Sequence, residues 1–209
     1  MKLFKILAIA AMAMVSSACA QAGVVLSNMG SNGLTDTSGF LNGDVLLDTR
    51  LASGFTTGSV AQKLDWVSLV GFNNDATQKT VAIFSDNAGK PGTVFATSAL
   101  RNVGLKDVYQ FDFTGVTLAA NTKYWVLPQV GLSWYRETND AAPTEQNSSG
   151  FTYSGVLRSI NSGSSWSTRS DNYTLAISTS DVPAAVPEPA LTSLLCLSGI
   201  ALIRRRMKK

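Results

Sequence analysis

The sequence contains no histidine. That excludes Ser-His-Asp and Cys-His catalysis by this chain, together with any histidine-ligated zinc or iron site. Cysteine is almost as scarce: Cys19 lies in an N-terminal apolar segment and Cys196 in a C-terminal one, so nothing between them forms a disulfide. A middle stretch of about 160 residues buries enough surface to fold without such staples. Charge is sparse as well, at 15% of residues, and the formal net charge of +3 belongs to the ends. Seven of the 17 Lys and Arg residues are Lys2, Lys5, Arg204, Arg205, Arg206, Lys208 and Lys209. The ten that remain face 13 acids once Glu188 is set aside, so the middle stretch is mildly acidic, near −3. It has no basic run between Gln21 and Pro187, which leaves nucleic acid without the clustered cationic surface it requires. No G-x-S-x-G elbow, S-x-x-K dyad, P-loop or dinucleotide fingerprint occurs.

What is present begins with a secretory signal over residues 1–22. Lys2 and Lys5 form its positive region, Ile6 to Val15 its uncharged apolar region, and Ala18-Cys19-Ala20 an A-x-A cleavage site before Gln21. Ala20-Gln21-Ala22 offers a second register, with cleavage before Gly23. Ser16-Ser17-Ala18-Cys19 resembles a bacterial lipoprotein box, except that Ser16 stands where such boxes usually carry Leu. The pattern predicts export through the Sec machinery and processing by signal peptidase.

At the other end, residues 190–209 read as a transmembrane helix with a basic tail. Ala190 to Ile203 is apolar apart from Thr192, Ser193 and Ser198. As a helix it spans only about 21 Å, short of a hydrocarbon core of about 30 Å. The five cations that follow stay cytoplasmic by the positive-inside rule, which sets the middle domain outside. Before the helix, 180–189 is an extended Pro-rich linker ending in Val186-Pro187-Glu188-Pro189. Its prolines deny helix to Glu188 and hold the backbone extended, the form a processing enzyme's cleft accepts. Pro-Glu-Pro, apolar helix and arginine cluster Arg204-Arg205-Arg206, in that order, resemble the PEP-CTERM sorting signal of Gram-negative bacteria. The resemblance implies recognition of Val186 to Pro189 and the arginines by an exosortase. That membrane-embedded cysteine transpeptidase cuts near the motif, after a transient stay in the inner membrane. It also implies a host that makes extracellular polysaccharide, as in biofilms, and a final place at the cell surface or in the extracellular matrix.

Residues 23–179 alternate with period two between closely spaced turns. Tyr109, Phe111 and Phe113 share one face, and Tyr173, Leu175 and Ile177 another. Trp66 to Phe72, Thr80 to Phe84 and Tyr124 to Leu127 are apolar on both faces, as central strands of a packed sandwich are. Further strands are predicted over Val24–Ser27, Val45–Thr49, Ala52–Thr56, Val94–Ser98, Leu132–Tyr135, Phe151–Tyr153 and Val156–Ile160. Turn chemistry is predicted for Asn73-Asn74-Asp75, for the whole of Ser85 to Gly92, and for Asn161-Ser162-Gly163. The fold class is all-β, a jelly-roll-like two-sheet sandwich.

Ser53-Gly54-Phe55-Thr56-Thr57-Gly58-Ser59, the Leu64 to Leu69 strand, Val81 to Gly92 and Tyr124-Trp125-Val126-Leu127 are similar to the choice-of-anchor R-type domains. These stand upstream of PEP-CTERM and other bacterial surface anchors. The resemblance brings no catalytic residues and implies a non-enzymatic surface or matrix role.

Three ligand chemistries remain open to the residues themselves. Exposed aromatic faces stack on sugar rings, and Trp166, flanked by serines, is expected to be exposed, with Trp134 and Tyr135 as further candidates for extracellular polysaccharide. A carbohydrate-binding module is therefore the alternative to a structural role. Glycoside hydrolysis needs two carboxylates across a cleft, but Asp36, Asp75, Asp86, Asp140 and Asp171 all sit in turn-like settings. Calcium would find oxygen ligands in Asn73, Asn74 and Asp75 or in Asp86 and Asn87, although no D-x-D-x-D-G loop is present. No other metal or cofactor is expected.

Overall fold

The computed structural model describes residues 23–29, 49–73, 75–136 and 141–182. The signal segment, the sorting motif from Val186 to Pro189, the apolar helix and Arg204 to Lys209 lie outside the described residues, as do Asp36, Asn74, Asp140 and all but the last residue of Val45–Thr49. Among the described residues no helix is long and apolar enough to cross a membrane.

Fourteen strands and no helix are found among the described residues. They are β1 (Gly23–Ser27), β2 (Arg50–Thr56), β3 (Gln62–Phe72), β4 (Gln78–Lys79) and β5 (Val81–Asn87). Then come β6 (Lys90–Thr97), β7 (Arg101–Asn102), β8 (Asp107–Leu118), β9 (Lys123–Pro128) and β10 (Ser133–Trp134). The last four are β11 (Thr144–Glu145), β12 (Thr152–Ser159), β13 (Ser167–Arg169) and β14 (Ala176–Asp181). Two main antiparallel sheets face each other as a β-sandwich. In sheet I, β3 is flanked by β8 on one side and by β14 and β10 on the other, and β1 and β11 follow β14 outward. Sheet II runs β13-β12-β2-β9-β5-β6, and β4 pairs with β7 apart from both.

The period-two pattern explains the core. Leu64, Val67, Leu69, Phe111, Phe113 and Ile177 of sheet I meet Phe55, Ile83, Val126 and Val156 of sheet II in one buried cluster. The three segments apolar on both faces are β3, β5 and β9, each with a neighbour on either side. Their alternate residues leave the core for the outer faces, where separate apolar clusters form.

Of the boundaries that differ from the sequence reading, four have a local cause. The expected turn from Ser85 to Gly92 shrinks to Ala88-Gly89, both at positive φ (53° and 83°), with β5 and β6 running up to them. Two such residues make the primed turn whose twist matches paired strands, and Pro91 is tolerated because β6 is an edge strand. Phe151–Tyr153 and Val156–Ile160 join into β12, whose register against β2 shifts between Tyr153 and Gly155. Gly155, at φ 88°, absorbs that bulge. Leu132–Tyr135 contracts to the two residues of β10. Finally, β14 continues to Asp181, beyond the expected domain limit at 179, because Ser180 and Asp181 pair with Lys63 and Gln62.

Gly23 pairs with Thr179 in the β1–β14 ladder, so the chain enters and leaves the sandwich at the same end. Ser59, Asn147 and Asp181 line a polar cleft with Gly23 at that end. β9 starts beside it, where Asn121 donates to the Gly58 carbonyl at 2.8 Å, and runs to Pro128 at the opposite end.

Candidate functional site

The outer face of sheet II carries the most distinctive surface. Phe55, Tyr124, Val126 and Ile83 point to the core, so Ala52, Gly54, Trp125, Leu127, Ala82 and Phe84 point outward. Trp125 is 1% exposed although it lies outside the main core. Its indole lies over Gly54, its partner in the β2–β9 ladder, where a Cβ would meet Cζ3 at 2.8 Å. Its Nε1 donates to Asp86 at 2.7 Å, and the Lys123 ammonium stands 4.5 Å from the ring centroid and 3.9 Å from the same carboxylate. Phe84, Leu157 and Trp166 pack against this cluster.

Beside it lies an open groove of about 220 Å³. Its floor follows from the ladder: Ala82 sits between Leu127 on β9 and Thr97 on β6, and the small side chain leaves a hollow next to the larger Phe84. The rim is polar but neutral at Thr80, Thr97 and Gln129. The Gln129 carboxamide oxygen accepts from Thr80 N at 3.0 Å. Arg50 forms one wall, and its Nε is buried without a hydrogen-bond partner. The Arg50 stem packs where Gly163 and Trp166 meet the sheet: a Cβ on Gly163 would lie 3.7 Å from both Arg50 Cδ and Trp166 Cζ2. The groove is smaller than the roughly 300–1,000 Å³ of drug-sized ligand sites, and matches a single ring.

A second charged cluster stands apart. Arg136 contacts Asp171 at 3.1 Å, and Arg169 donates to its other oxygen. Burial pushes the Asp171 carboxyl up, but the guanidinium groups of Arg169 and Arg136 outweigh it and hold the carboxyl below its ordinary range. Inside the sandwich, burial raises the Tyr153 hydroxyl, with the Ser53 hydroxyl acting weakly the other way.

The aromatic residues expected to touch sugar are placed differently from the expectation. Trp134 is fully buried, its Nε1 donating to the Thr174 carbonyl at 2.6 Å and its ring 5.3 Å from that of Tyr173. Tyr135 is buried in the outer cluster of sheet I, with the Lys106 ammonium 4.8 Å from its ring centroid. Neither offers a free face. Trp166 is half-buried rather than exposed, because the β12–β13 hairpin lays its ring on the Trp125 cluster while Ser165 and Ser167 turn to solvent. Arg50, Ala82, Phe84 and Gln129 were not singled out by the sequence. The apolar outer faces of β5 and β9 were the available signal, whereas nothing local marks Arg50.

The oxygens considered for calcium serve the turns. Asn73 donates to Thr77 Oγ1 at 2.8 Å and accepts from Asp75 N at 3.4 Å. Asp86 accepts from Gly89 N at 3.0 Å and from Trp125. Among the described residues no three His, Cys, Asp or Glu side chains converge as metal ligands. No carboxylate lines the groove, and Asp181 alone lines the polar cleft at the opposite end, so neither brings together the pair that glycoside hydrolysis needs. No family model matches this chain, and no curated protein is detectably similar to it.

Proposed function

We propose that this chain is an exported, non-enzymatic surface domain, sorted by exosortase and delivered to a polysaccharide-rich envelope or matrix, where it acts by contact. The observation that supports this reading is the pairing of Gly23 with Thr179. The strand that follows the signal segment and the strand that precedes the Pro-rich linker lie side by side. The two described strands nearest the processing sites in sequence therefore meet at one end of the sandwich, and the groove over Ala82 lies toward the other, where β9 ends at Pro128. A domain held by its termini in this way presents the groove outward. The jelly-roll form belongs to the same proposal, supported by strands that cross between sheets from β1 to β2, β2 to β3, β8 to β9 and β13 to β14.

Intact-mass measurement of the extracellular protein tests it. From a host with a working exosortase, the expected mature chain begins at Gln21 or Gly23 and ends near Pro189. An extracellular form that retains Arg204 to Lys209 would overturn the sorting proposal.

Carbohydrate contact is the second reading, and the groove favours it: an apolar floor of Phe84, Ala82 and Leu127 under a rim of hydroxyl and amide groups. Sugar rings offer the same division, with apolar C–H faces and polar edges. Binding by the extracellular protein on a glycan array, lost on Phe84→Ala, is the expected result. An array without signal for the unaltered protein would remove this reading.

A further inference from the structure

The groove's charge is one-sided, and that narrows what it takes. Arg50 lines it. No Asp or Glu lines it. The protein around it is acidic overall, near −3 between the targeting ends, so this local sign is not inherited from the domain.

Arg50 Nε is the more specific observation. It is buried and has no partner, although nearly all buried polar atoms find one. For Nε to gain a partner the Arg50 side chain must turn toward the groove; the guanidinium edge then presents two parallel donors suited to one carboxylate, and in a partly enclosed site such a charge-assisted pair is stronger than a neutral hydrogen bond. The neighbouring surfaces fix the rest of the ligand. The Ala82 hollow beside Phe84 accepts the apolar face of one ring, and the Gln129 amide offers donors to a ring hydroxyl.

We infer that this groove binds an acidic sugar, a uronate residue whose ring lies over Ala82 and Phe84 and whose carboxylate pairs with Arg50. The inference rests on the carbohydrate reading above and makes it specific. Association through one guanidinium within an acidic domain is short-ranged, so it discriminates by the carboxylate itself and not by the polymer's overall charge.

The test uses the purified extracellular protein and a set of oligogalacturonates, oligomannuronates and oligoglucuronates, each beside its methyl ester, which keeps the backbone and removes the charge. Calorimetry is expected to show at least one free acid bound at least tenfold more tightly than its ester. Arg50→Gln is expected to abolish that preference, and Arg50→Lys to restore part of it. Ala82→Leu, which fills the hollow but leaves every charge in place, is expected to weaken acid and ester alike. Circular dichroism of each variant separates lost binding from lost fold. Equal binding of acid and ester by the unaltered protein overturns the uronate inference and leaves the carbohydrate reading standing. Binding that persists in both Arg50→Gln and Ala82→Leu places the ligand elsewhere and overturns it too. No binding of any uronate, ester or neutral glycan removes both.

Discussion

Gly54 and Trp125 are cross-strand partners, and the indole of one occupies the space that a side chain on the other would need. Glycine inside a strand gives up packing and costs backbone entropy. Here the covering ring restores the packing, as aromatic residues do opposite strand glycines. In Gly54→Ala the new Cβ would stand 2.8 Å from Trp125 Cζ3 and 3.1 Å from Ser154 Cβ, the latter fixed to the backbone. The expected loss is about 1–3 kcal/mol, the usual range for overpacking. For a domain of this size that lowers the Tm by roughly 3–10 °C. The cost should shrink when Trp125 is also changed to Leu. Equal losses in both backgrounds, measured by thermal unfolding, would show that the two residues are not coupled.

This pair also shows how far the sequence could be read. Alternation places Phe111 and Phe113 on one face of β8, because that choice is made within one strand, whereas β3, β5 and β9 are legible as central strands, apolar on both faces, without saying which face of each is the core. The placement of Trp134, Tyr135 and Trp166 depends on which strands lie beside them. Serines flank Trp166 in the sequence, yet the hairpin folds the ring back onto Trp125. The site was hidden for the same reason. Arg50 on β2 and Ala82 on β5 are not ladder neighbours, since β9 stands between their strands, and only the assembled sheet brings them to one groove. The reading of Ser85 to Gly92 as turn failed for a local reason: composition marks where a turn is allowed, while pairing decides how tight it becomes.

Asp86 holds the outer cluster from the other side. Its Oδ1 accepts the Trp125 Nε1 proton and its Oδ2 accepts Gly89 N in the β5–β6 turn. Removing the acceptor in Asp86→Ala strands a buried indole N–H, at a cost of about 1–3 kcal/mol. Asp86→Asn keeps one carbonyl acceptor and should lose less. Lys123→Met removes the ion pair together with the ammonium that stands over the Trp125 ring. At 3.9 Å and with its side chains 30% and 25% exposed, the pair is expected to be worth less than about 1 kcal/mol. Urea midpoints of the three variants should fall in that order, and a Lys123 effect as large as that of Asp86→Ala would contradict the assignment.

Asp171 gives the domain an acid limit. Its carboxyl titrates below the ordinary value because the arginines 136 and 169 favour the charged form more than burial opposes it. A depressed folded pKa contributes stability that is complete above the unfolded value, about 3.9. That contribution is lost as pH falls through the folded value. Urea midpoints followed downward from pH 5 should therefore decline less steeply below pH 4 in Asp171→Asn than in the unaltered protein. Parallel curves would mean that the carboxylate is not coupled to folding.

Tyr153 sets the opposite limit. Burial raises its hydroxyl above the ordinary tyrosine value, so the folded state keeps a proton that the unfolded chain releases. The stability involved is complete below the unfolded value, near 10, and is lost as pH rises beyond it. Tyr153→Phe removes the titrating group and keeps the ring, which packs against the main core. The variant should hold its Tm from pH 9 to 11 better than the unaltered protein does. The gain has a second source, since the Tyr153 and Ser53 hydroxyls are both buried without a regular hydrogen bond. Losing one of them relieves that burial at every pH, so a pH-independent rise in Tm is also expected, and only the part that grows above pH 10 reports the titration. A difference between the two proteins that stays constant across the range would assign the whole effect to desolvation and none to ionisation.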